Sequence, residues 1–414
     1  MGKNCMIGQA GGPTAVINAS LKGVIDTAQQ SKEIDNIYGM RYGILGALNG
    51  QILDLTNKSS KELSLLRDTP SSILGTSRYK IVDYNEDEED YIKLFELFKE
   101  LNIGYLFYIG GNDSMDTVDK LNKYAIEKGH DINIIGIPKT VDNDIVEIDH
   151  TPGYGSASKY IATTVMEIAR DSRVYDLKNV HIVEVMGRST GWLAAASMLA
   201  NTEQLNTPDF IYVPEIEFSI NKFVEDVEKK MQEQKAVVVV VSEGIKDKNG
   251  NYIAAEKSTR HDYFGHKKLG GAAAVLASFI KGNLCDRVKN IKLDVMQRAA
   301  AHCGSKVDVE EAYTLGKKAA EAGLAGKSGL MPLLKRVSSS PYQVEYSEIR
   351  VEEVANKVKL LPEKWINEEE NHINDGFKDY VLPLIQGHID LSYKDGLPEY
   401  ASIDCLNKNI LIKK

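Results

Sequence analysis

The sequence predicts an α/β protein with two Rossmann-like, doubly wound domains and mostly parallel sheets, and three observations support this. Apolar strand-like runs alternate with helix-like segments along the chain, and this alternation is typical of parallel strands joined by crossover helices. Most of these runs end in glycine and polar residues, as expected where open sheets bind ligands. The chain has 414 residues, more than one core usually supports. This length is compatible with two domains or with one large α/β unit, and we expect the functional site in the cleft between two domains.

Two strand-turn-helix units begin the chain in similar ways. Strand-like Cys5–Gly8 leads into a Gly11-Gly12-Pro13 turn and a helix over about 15–28. Strand-like Tyr105–Ile109 leads into Gly110–Ser114 and a helix over 115–128. Small residues before a helix N-terminus let backbone N–H groups approach an anion. Each turn is also compatible with a simple tight connection, and Asp113 is compatible with a helix cap.

The stretch Ile134–Asp144 is an apolar run that ends in a loop with one lysine and two carboxylates. If the loop is extended, Asp142 and Asp144 point to one side and Asn143 to the other. Two carboxylates beside Lys139 suit a general base next to a metal site and a neutralised phosphoryl group. The alternative is a polar loop with local Asn and Asp turns and a solvated lysine.

Later strand-like runs also end in charged residues. Val180–Val185 precedes Met186-Gly187-Arg188, and Ala236–Ser242 precedes Glu243-Gly244. Leu293–Arg298 is similar to another strand end, and Gly43–Gly46 is predicted to form a turn after a second strand at 37–39. These ends add candidate binding groups to the same edge of the predicted sheets.

Two common nucleotide-binding motifs are not matched. The segment Gly153–Ser158 has Ser158 where the dinucleotide fingerprint needs its third glycine, and no buried strand precedes it. Gly326-Lys327-Ser328 lacks the earlier glycine of a Walker motif, because position 321 is Glu321. A dehydrogenase and a P-loop enzyme are therefore disfavoured.

The composition excludes several classes of partner. Fifty basic and 59 acidic residues give a formal charge of −9, which disfavours nucleic acid and anionic membranes. The four cysteines are widely spaced, so a reduced, cytoplasmic protein is the simplest interpretation. The first residues lack an apolar leader, and no run is long enough to cross a membrane. His266 and His302 lie near polar neighbours, although single histidines are more often packed or solvated than catalytic.

Taken together, the motifs resemble the phosphofructokinase family, and specifically its pyrophosphate-dependent branch. The resemblance covers about the first 300 residues and follows the family's order. It rests on the segments Gly11–Pro13 with Asn18, Gly110–Ser114, Pro138–Asp144, Met186–Arg188, Glu243-Gly244 and Gln297-Arg298.

The resemblance implies Mg²⁺-dependent transfer of a phosphoryl group to the 1-hydroxyl of fructose 6-phosphate. It assigns the general base to Asp142, with Lys139 and Asp113 as the other catalytic positions. The positions it assigns to the sugar phosphate are Thr140, Asp144, Met186, Gly187, Arg188, Glu243 and Arg298. The positions it assigns to the donor are Gly11, Gly12, Arg78, Gly111 and Ser114, and it assigns the metal to Asn112.

Asp113 and Lys139 bear on the phosphoryl donor. The resemblance implies glycine at both positions in nucleotide-using relatives. A carboxylate at Asp113 would repel the α-phosphate of ATP, while Lys139 could stabilise pyrophosphate. The resemblance therefore implies pyrophosphate as donor, with an ATP-dependent enzyme and a non-catalytic regulatory subunit as the alternatives.

Two departures from the family pattern affect the site. Asn112 replaces the usual aspartate, so metal contact there is expected through a carbonyl oxygen or water. Asn179 replaces an arginine that reaches a neighbouring subunit's substrate in many bacterial relatives, and Arg173, Lys289 or Lys292 are candidate substitutes. The resemblance also implies a homodimer or homotetramer. We expect a donor domain over 1–153 and about 297–360, and a sugar-phosphate domain over 154–296 and about 361–414.

Overall fold

The structure is a computed structural model that describes residues 2–56, 60–254, 271–402 and 409–411. His266, which was named above as a candidate, lies outside the described residues.

The described residues form fourteen strands. In chain order, β1 to β14 are Lys3–Gln9, Ile34–Met40, Gln51–Asp54, Ile103–Gly110, Asn133–Pro138, Asn179–Val185, Phe210–Tyr212, Ala236–Ser242, Val288–Lys292, Leu330–Ser339, Tyr342–Arg350, Tyr393–Lys394, Leu397–Pro398 and Asn409–Leu411.

Twelve α-helices occur in the same part of the chain. In chain order, α1 to α12 are Ile17–Gln30, Gly43–Leu48, Ser60–Leu66, Glu89–Glu100, Asn112–Lys128, Tyr154–Ser172, Trp192–Ala196, Ile220–Glu233, Ala272–Ile280, Met296–Ala299, Lys306–Leu324 and Gly376–Val381. Short 3₁₀ segments are Ser197–Ala200, Ala301–Cys303, Val351–Glu353, Glu363–Trp365 and Leu382–Ile385.

Two sheets organise the molecule. The larger has the order β11-β10-β5-β4-β1-β2-β3-β14, and the smaller has the order β7-β8-β6-β9. All pairs of the smaller sheet are parallel, as are the central pairs of the larger one. Antiparallel pairs occur at the edges of the larger sheet. The predicted fold class, a doubly wound α/β protein with mostly parallel sheets, is confirmed.

Each sheet is buried on both faces, which explains why its central strands are continuous apolar runs. Helices α4 and α5 pack on one face of the larger sheet, and α1 and α11 pack on the other. The smaller sheet packs α6 and α7 on one face and α8 and α9 on the other. The two buried layers hold the strand ends in fixed positions, and these ends form the functional site.

Three local predictions were wrong or incomplete. The predicted turn Gly43–Gly46 lies in helix α2. The predicted strand end at Leu293–Arg298 is displaced by a few residues, because β9 ends at Lys292, directly before this segment, and α10 begins at Met296. The antiparallel hairpin of β10 and β11 was not predicted, and its outer strand consists of half-buried and exposed residues at an edge of the sheet.

The predicted domain limits stay a prediction. Leu361, Phe377 and Leu384 pack with the core around α6 and the smaller sheet. Strand β14, by contrast, pairs with β3 in the larger sheet. The C-terminal part of the chain therefore contacts both halves of the molecule. Among the described residues, no helix is long and apolar enough to cross a membrane.

Candidate active site

A cavity of about 310 Å³ lies where the carboxyl ends of strands from both sheets meet. Turns after β1, β4 and β5 line it from the larger sheet, and turns after β6 and β8 line it from the smaller one. Its lining residues are Ala10, Gly11, Gly12, Pro13, Ser77, Arg78, Tyr79, Tyr108, Gly111, Asn112, Asp113, Ser114, Thr117, Lys139, Thr140, Val141, Asp142, Asp144, Met186, Arg188, Glu243 and Arg298.

The loop after β5 is held by the backbone of its neighbours. The Lys139 N–H donates to the Gly110 carbonyl at 2.9 Å, and the Thr140 N–H donates to the Pro152 carbonyl at 3.2 Å. The Asp142 N–H donates to Thr140 Oγ1 at 3.1 Å. These bonds keep the polar end of the strand at a fixed place although regular pairing has ended.

The two aspartates face the cavity, but the loop is not extended as predicted. Asn143 adopts a φ of 53°, in the left-handed region, which asparagine tolerates better than most residues. Its side chain is fully buried and donates to the Tyr380 hydroxyl at 2.9 Å. Asp142 and Asp144 therefore share one side because the chain turns at Asn143.

Lys139 is a buried cation on the cavity wall, with 2% of its surface exposed. Its ammonium donates to the Gly12 carbonyl at 2.7 Å. Burial lowers the pKa of Lys139 to about 8, with a contribution from Arg298, while Asp142 and Asp144 act in the opposite direction. The lysine is thus a preorganised charge that is still protonated at neutral pH.

The carboxylates of the central loop have raised pKa values. Burial raises the pKa of Asp142 to about 6, Glu243 adds to this effect, and Lys139 opposes it. Burial raises the pKa of Asp144 to about 7, and the nearby Asp142 charge adds to it. A carboxylate with a pKa near 6 is ionised at neutral pH and basic enough to accept a hydroxyl proton.

Asn112 contributes an oxygen that fits a cation. Its amide nitrogen donates to Asp144 Oδ2 at 3.0 Å, while its buried Oδ1 has no hydrogen-bond partner. Amide and carboxylate oxygens are the groups that bind Mg²⁺. The described residues contain no cluster of three or more His, Cys, Asp or Glu side chains suited to a metal. A metal at this position would therefore be bound by the Asn112 amide oxygen together with further ligands.

The glycine turns bring the backbone close to the cavity. Gly11 has a φ of 72°, and its carbonyl accepts from Thr76 Oγ1 at 2.8 Å. A Cβ added at Gly12 would lie 3.0 Å from an Arg298 nitrogen. Helix α1 begins at Ile17, whereas α5 begins directly after Gly111. The second turn therefore places a helix N-terminus at the cavity, and the first does not.

Asp113 lies in the first turn of α5 and is exposed. The cap position belongs to Gly111, which makes no side-chain cap bond. The cap role that was considered for Asp113 is therefore wrong. Its carboxylate lines the cavity at a helix end that favours negative charge.

The smaller sheet supplies the facing wall. The Met186 N–H donates to the side-chain oxygen of Gln297 at 3.1 Å, which links the turn after β6 to α10. Arg188, Glu243 and Arg298 line the cavity. Burial raises the pKa of the Glu243 carboxyl, and Lys292 opposes the shift. This wall thus carries two guanidinium groups and one carboxylate.

Comparisons with known proteins match this architecture. A model of the family described as phosphofructokinase matches residues 4–292. The chain belongs to the phosphofructokinase family.

Similar proteins cover almost the whole chain. A protein of Methylococcus capsulatus named pyrophosphate–fructose 6-phosphate 1-phosphotransferase is 40% identical over 404 residues, covering 97% of this chain and 96% of that protein. A protein of the same name from Halomonas elongata is 38% identical over 403 residues, with the same coverage of 97% and 96%. The crystal structure of a pyrophosphate-dependent phosphofructokinase from Nitrosospira multiformis superposes with a TM-score of 0.89 and 39% identity, covering 100% of this chain and 98% of that one.

All residues that the sequence predicted for the site line the cavity of this phosphofructokinase except Gly187. Gly187 has a φ of 128°, and an added Cβ would collide with the Thr190 carbonyl. Its own carbonyl accepts a hydrogen bond from Ser242. Gly187 therefore shapes the turn that presents Met186 and Arg188. The individual roles of the predicted residues stay predictions.

The candidate substitutes for the missing arginine lie away from this cavity. Arg173 donates to the Asn206 carbonyl, and Lys292 lies 3.4 Å from Glu184 Oε1. Lys289 lines a separate cavity of about 250 Å³ together with Asn179. Among the described residues, the lining of the main cavity does not include Arg173, Lys289 or Lys292.

Several residues of the site were not predicted. Ser77, Tyr79, Tyr108 and Thr117 line the cavity, and Ser77 and Tyr79 flank Arg78, which was the available signal. Tyr108 belongs to an apolar strand run and gave no signal. Lys359, whose Nζ donates to Asn143 Oδ1 in the central loop at 3.2 Å, was also missed, because nothing in its local sequence relates it to a loop more than 200 positions earlier.

The helix that resembles a dinucleotide motif is closed to ligands. Asp308, 1% exposed, accepts from the Gly153 and Ser156 N–H groups at 2.8 Å each. These are N–H groups that a pyrophosphate would use at the start of α6. Asp308 thus occupies the position at this helix start where the pyrophosphate of a dinucleotide would bind.

Proposed function

We propose that this phosphofructokinase transfers a phosphoryl group from pyrophosphate to the 1-hydroxyl of fructose 6-phosphate. The products are fructose 1,6-bisphosphate and phosphate, and the reaction is reversible. The observation that carries the proposal is one cavity in which Lys139, Asp142 and Asp113 all lie. The names of the full-length relatives at 40% and 38% identity support the same donor and acceptor.

Asp142 is the general base in this proposal. It accepts the proton of the 1-hydroxyl as that oxygen bonds to the terminal phosphorus and the bridging P–O bond of pyrophosphate breaks. The bridging oxygen leaves with phosphate, and its negative charge is neutralised by Lys139. Burial has raised the pKa of Asp142 to about 6. Transfer of the alcohol proton to Asp142 is therefore easier than transfer to an ordinary aspartate.

The donor and the sugar phosphate are bound by different groups. Gly11, Gly12, Arg78, Gly111 and Ser114 bind the donor. The sugar phosphate is bound by Thr140, Asp144, Met186, Gly187, Arg188, Glu243 and Arg298. Thr140 and Asp144 follow β5 of the larger sheet, whereas the other five lie on the side of the smaller sheet. Closure of the cleft would therefore bring donor and acceptor together and exclude water.

Mg²⁺ is the proposed cofactor. Asn112 Oδ1, which is buried without a partner, and the neighbouring Asp144 carboxylate would hold it, directly or through water. When bound, it would neutralise charge on the phosphoryl oxygens. Removal of Mg²⁺ with a chelator should abolish turnover, and Mg²⁺ added back should restore it.

The donor is tested by offering pyrophosphate or ATP separately with fructose 6-phosphate and Mg²⁺. We expect turnover with pyrophosphate, and an Asp113→Gly, Lys139→Gly double variant should lose this activity by orders of magnitude. Turnover with ATP alone would identify an ATP-dependent enzyme. Ligand binding without turnover would identify a regulatory subunit.

A homodimer or homotetramer is proposed for the assembly, and light scattering of the purified protein would measure its mass. A cytoplasmic location is proposed from the widely spaced cysteines. Cys5, Cys285 and Cys303 are free thiols in the described chain, and Cys405 lies outside it.

A further inference from the structure

Lys359 lies in the C-terminal part of the chain, beyond residues 4–292 that match the family model. It follows the short 3₁₀ segment Val351–Glu353 and precedes Leu361, which packs in the core of the smaller sheet. The chain therefore passes from the larger sheet to the smaller one at this point. A residue here can contact both walls of the active site.

All three ammonium donors of Lys359 have acceptors in the catalytic loop. Its Nζ donates to Asn143 Oδ1 at 3.2 Å, to the Ile148 carbonyl at 3.0 Å and to the Asp149 carbonyl at 2.9 Å. An ammonium group has three donors in total. Lys359 has none left for a substrate, so its role is to hold the loop.

The backbone of Lys359 joins the two walls. Its N–H donates to the Asp144 carbonyl at 2.8 Å, and its carbonyl accepts from Trp192 Nε1 at 2.9 Å. The Lys359 ammonium also lies 5.1 Å from the centre of the Trp192 ring, within the range of a cation–π contact. Trp192 begins helix α7, directly after the turn that carries Arg188. One residue thus contacts loops of both walls.

Tyr380 supports the same loop from α12. Its hydroxyl accepts from Asn143 Nδ2 at 2.9 Å and donates to the Asp149 carbonyl at 2.8 Å. Asn143 Oδ1 also accepts from the Thr151 N–H at 3.0 Å. The strained residue between the two aspartates is therefore held at every polar atom of its side chain.

We propose that Lys359 is a positioning residue that fixes the turn between Asp142 and Asp144 and locks it to the opposite wall. The C-terminal segment of this chain then helps to fix the geometry of the active site. The inference rests on the proposed function for its catalytic consequence. Its structural consequence, a rigid loop from 142 to 151, does not depend on turnover.

The main test compares Lys359→Met with wild type. Methionine keeps most of the side-chain length but donates no hydrogen bond, so the Asn143 turn loses its main support. We expect kcat to fall about 10²-fold, because a displacement of about 1 Å in a reacting group has this effect. The KM for fructose 6-phosphate should change far less, since the cavity wall formed by Arg188 and Arg298 remains.

A matched control and a conservative variant accompany this test. Lys357→Met removes an exposed lysine two positions away, whose Nζ donates to the Glu353 carbonyl, and it should retain wild-type kcat. Lys359→Arg keeps the charge and several donors, so it should recover most of the lost kcat. Tyr380→Phe removes one hydroxyl, keeps the ring, and should lower kcat in the same direction by a smaller factor.

Hydrogen exchange measures the loop without catalysis. The Thr151 amide, which bonds to the oxygen that Lys359 contacts, should exchange faster in Lys359→Met than in wild type or Lys357→Met. Equal exchange and unchanged kcat in a folded Lys359→Met variant would overturn the proposal. If Lys359→Met does not fold, the proposal is tested by kcat and by Thr151 amide exchange in Tyr380→Phe. Failure of wild type to turn over pyrophosphate would instead overturn the proposed function. The positioning role of Lys359 would then be tested by hydrogen exchange of the Thr151 amide alone.

Discussion

Replacing Lys139 with methionine should separate activity from stability. The Lys139 ammonium lies on the cavity wall with 2% exposure and opposes the rise in the Asp142 pKa. Without it, we expect kcat to fall about 10²- to 10³-fold, as for the loss of one preorganised group that stabilises transition-state charge. The pH profile should change as well. In wild type, kcat/KM should rise as pH passes the Asp142 pKa of about 6 and fall as it passes the Lys139 pKa of about 8.

The same substitution should stabilise the fold at neutral pH. The Lys139 pKa is about 8 in the folded protein and 10.5 in the reference state, and each pKa unit corresponds to about 1.4 kcal/mol. At pH 7 the buried ammonium therefore costs the fold roughly 3 kcal/mol. Loss of the hydrogen bond to the Gly12 carbonyl offsets about 1 kcal/mol of this stabilisation. The free energy of unfolding of Lys139→Met should rise by about 2 kcal/mol at pH 7. That gain should decline as pH rises above 8 and vanish above 10.5, where the lysine is neutral in both states.

Two measurements check this prediction. Steady-state rates between pH 5 and pH 9 compare the profiles of wild type and Lys139→Met, and any change in pyrophosphate ionisation affects both proteins equally. Urea unfolding at pH 7 and at high pH gives the stability difference. A variant that keeps the basic limb of the profile, or that is less stable than wild type at pH 7, would refute the reasoning.

The remaining predictions concern three buried acids and bases. Asp142→Asn should lower kcat about 10²- to 10⁴-fold. Because burial raises the pKa of Asp142 to about 6, removal of its charge should raise the melting temperature at neutral pH, and steady-state rates and circular dichroism measure the two effects. Burial alone would lower the pKa of His150, but Glu311 outweighs it and raises the pKa to about 9. His150→Gln should therefore cost about 3–5 kcal/mol of unfolding free energy near pH 6.5, and the difference should disappear as pH rises through 9, which urea unfolding at several pH values would show. Asp308→Ala leaves two N–H groups of α6 unpaired and should cost about 1–3 kcal/mol. A thermal unfolding curve of Asp308→Ala identical to that of wild type would contradict this. Asp308→Asn, which keeps one acceptor, is the control variant.

The sequence was sufficient for the parts of the site that are local. A continuous apolar run followed by Pro138-Lys139 marks the end of a buried parallel strand, and charged residues at such ends converge by geometry alone. The same argument places Met186, Arg188 and Glu243 in the cavity, as observed. The positions of these residues could be predicted because strand direction and side-chain character are both determined by short segments, while their roles stay predictions.

Long-range contacts were beyond this kind of reasoning. The left-handed φ of Asn143 depends on acceptors and donors supplied by Lys359 and Tyr380, more than 200 positions later. The closure of the α6 N-terminus depends on Asp308 in another helix. Each residue belongs to a segment with no motif, and its partner is determined only when the two sheets are packed together.

The three glycine-led helix starts show why local motifs cannot be ranked without the fold. All three have the small residues that an anion site needs, but α6 is already occupied by Asp308, and α1 starts beyond its glycine turn at Ile17. Only α5 points its N-terminus into the cavity, and its first turn carries Asp113, whose negative charge uses the favourable end of the helix dipole. We therefore expect the donor to be held mainly by side-chain cations such as Lys139 and Arg78. The Asp113 carboxylate would repel the α-phosphate of a nucleotide, whereas Lys139 neutralises the leaving phosphate of a short donor, and this is the proposed basis for the choice of pyrophosphate over ATP.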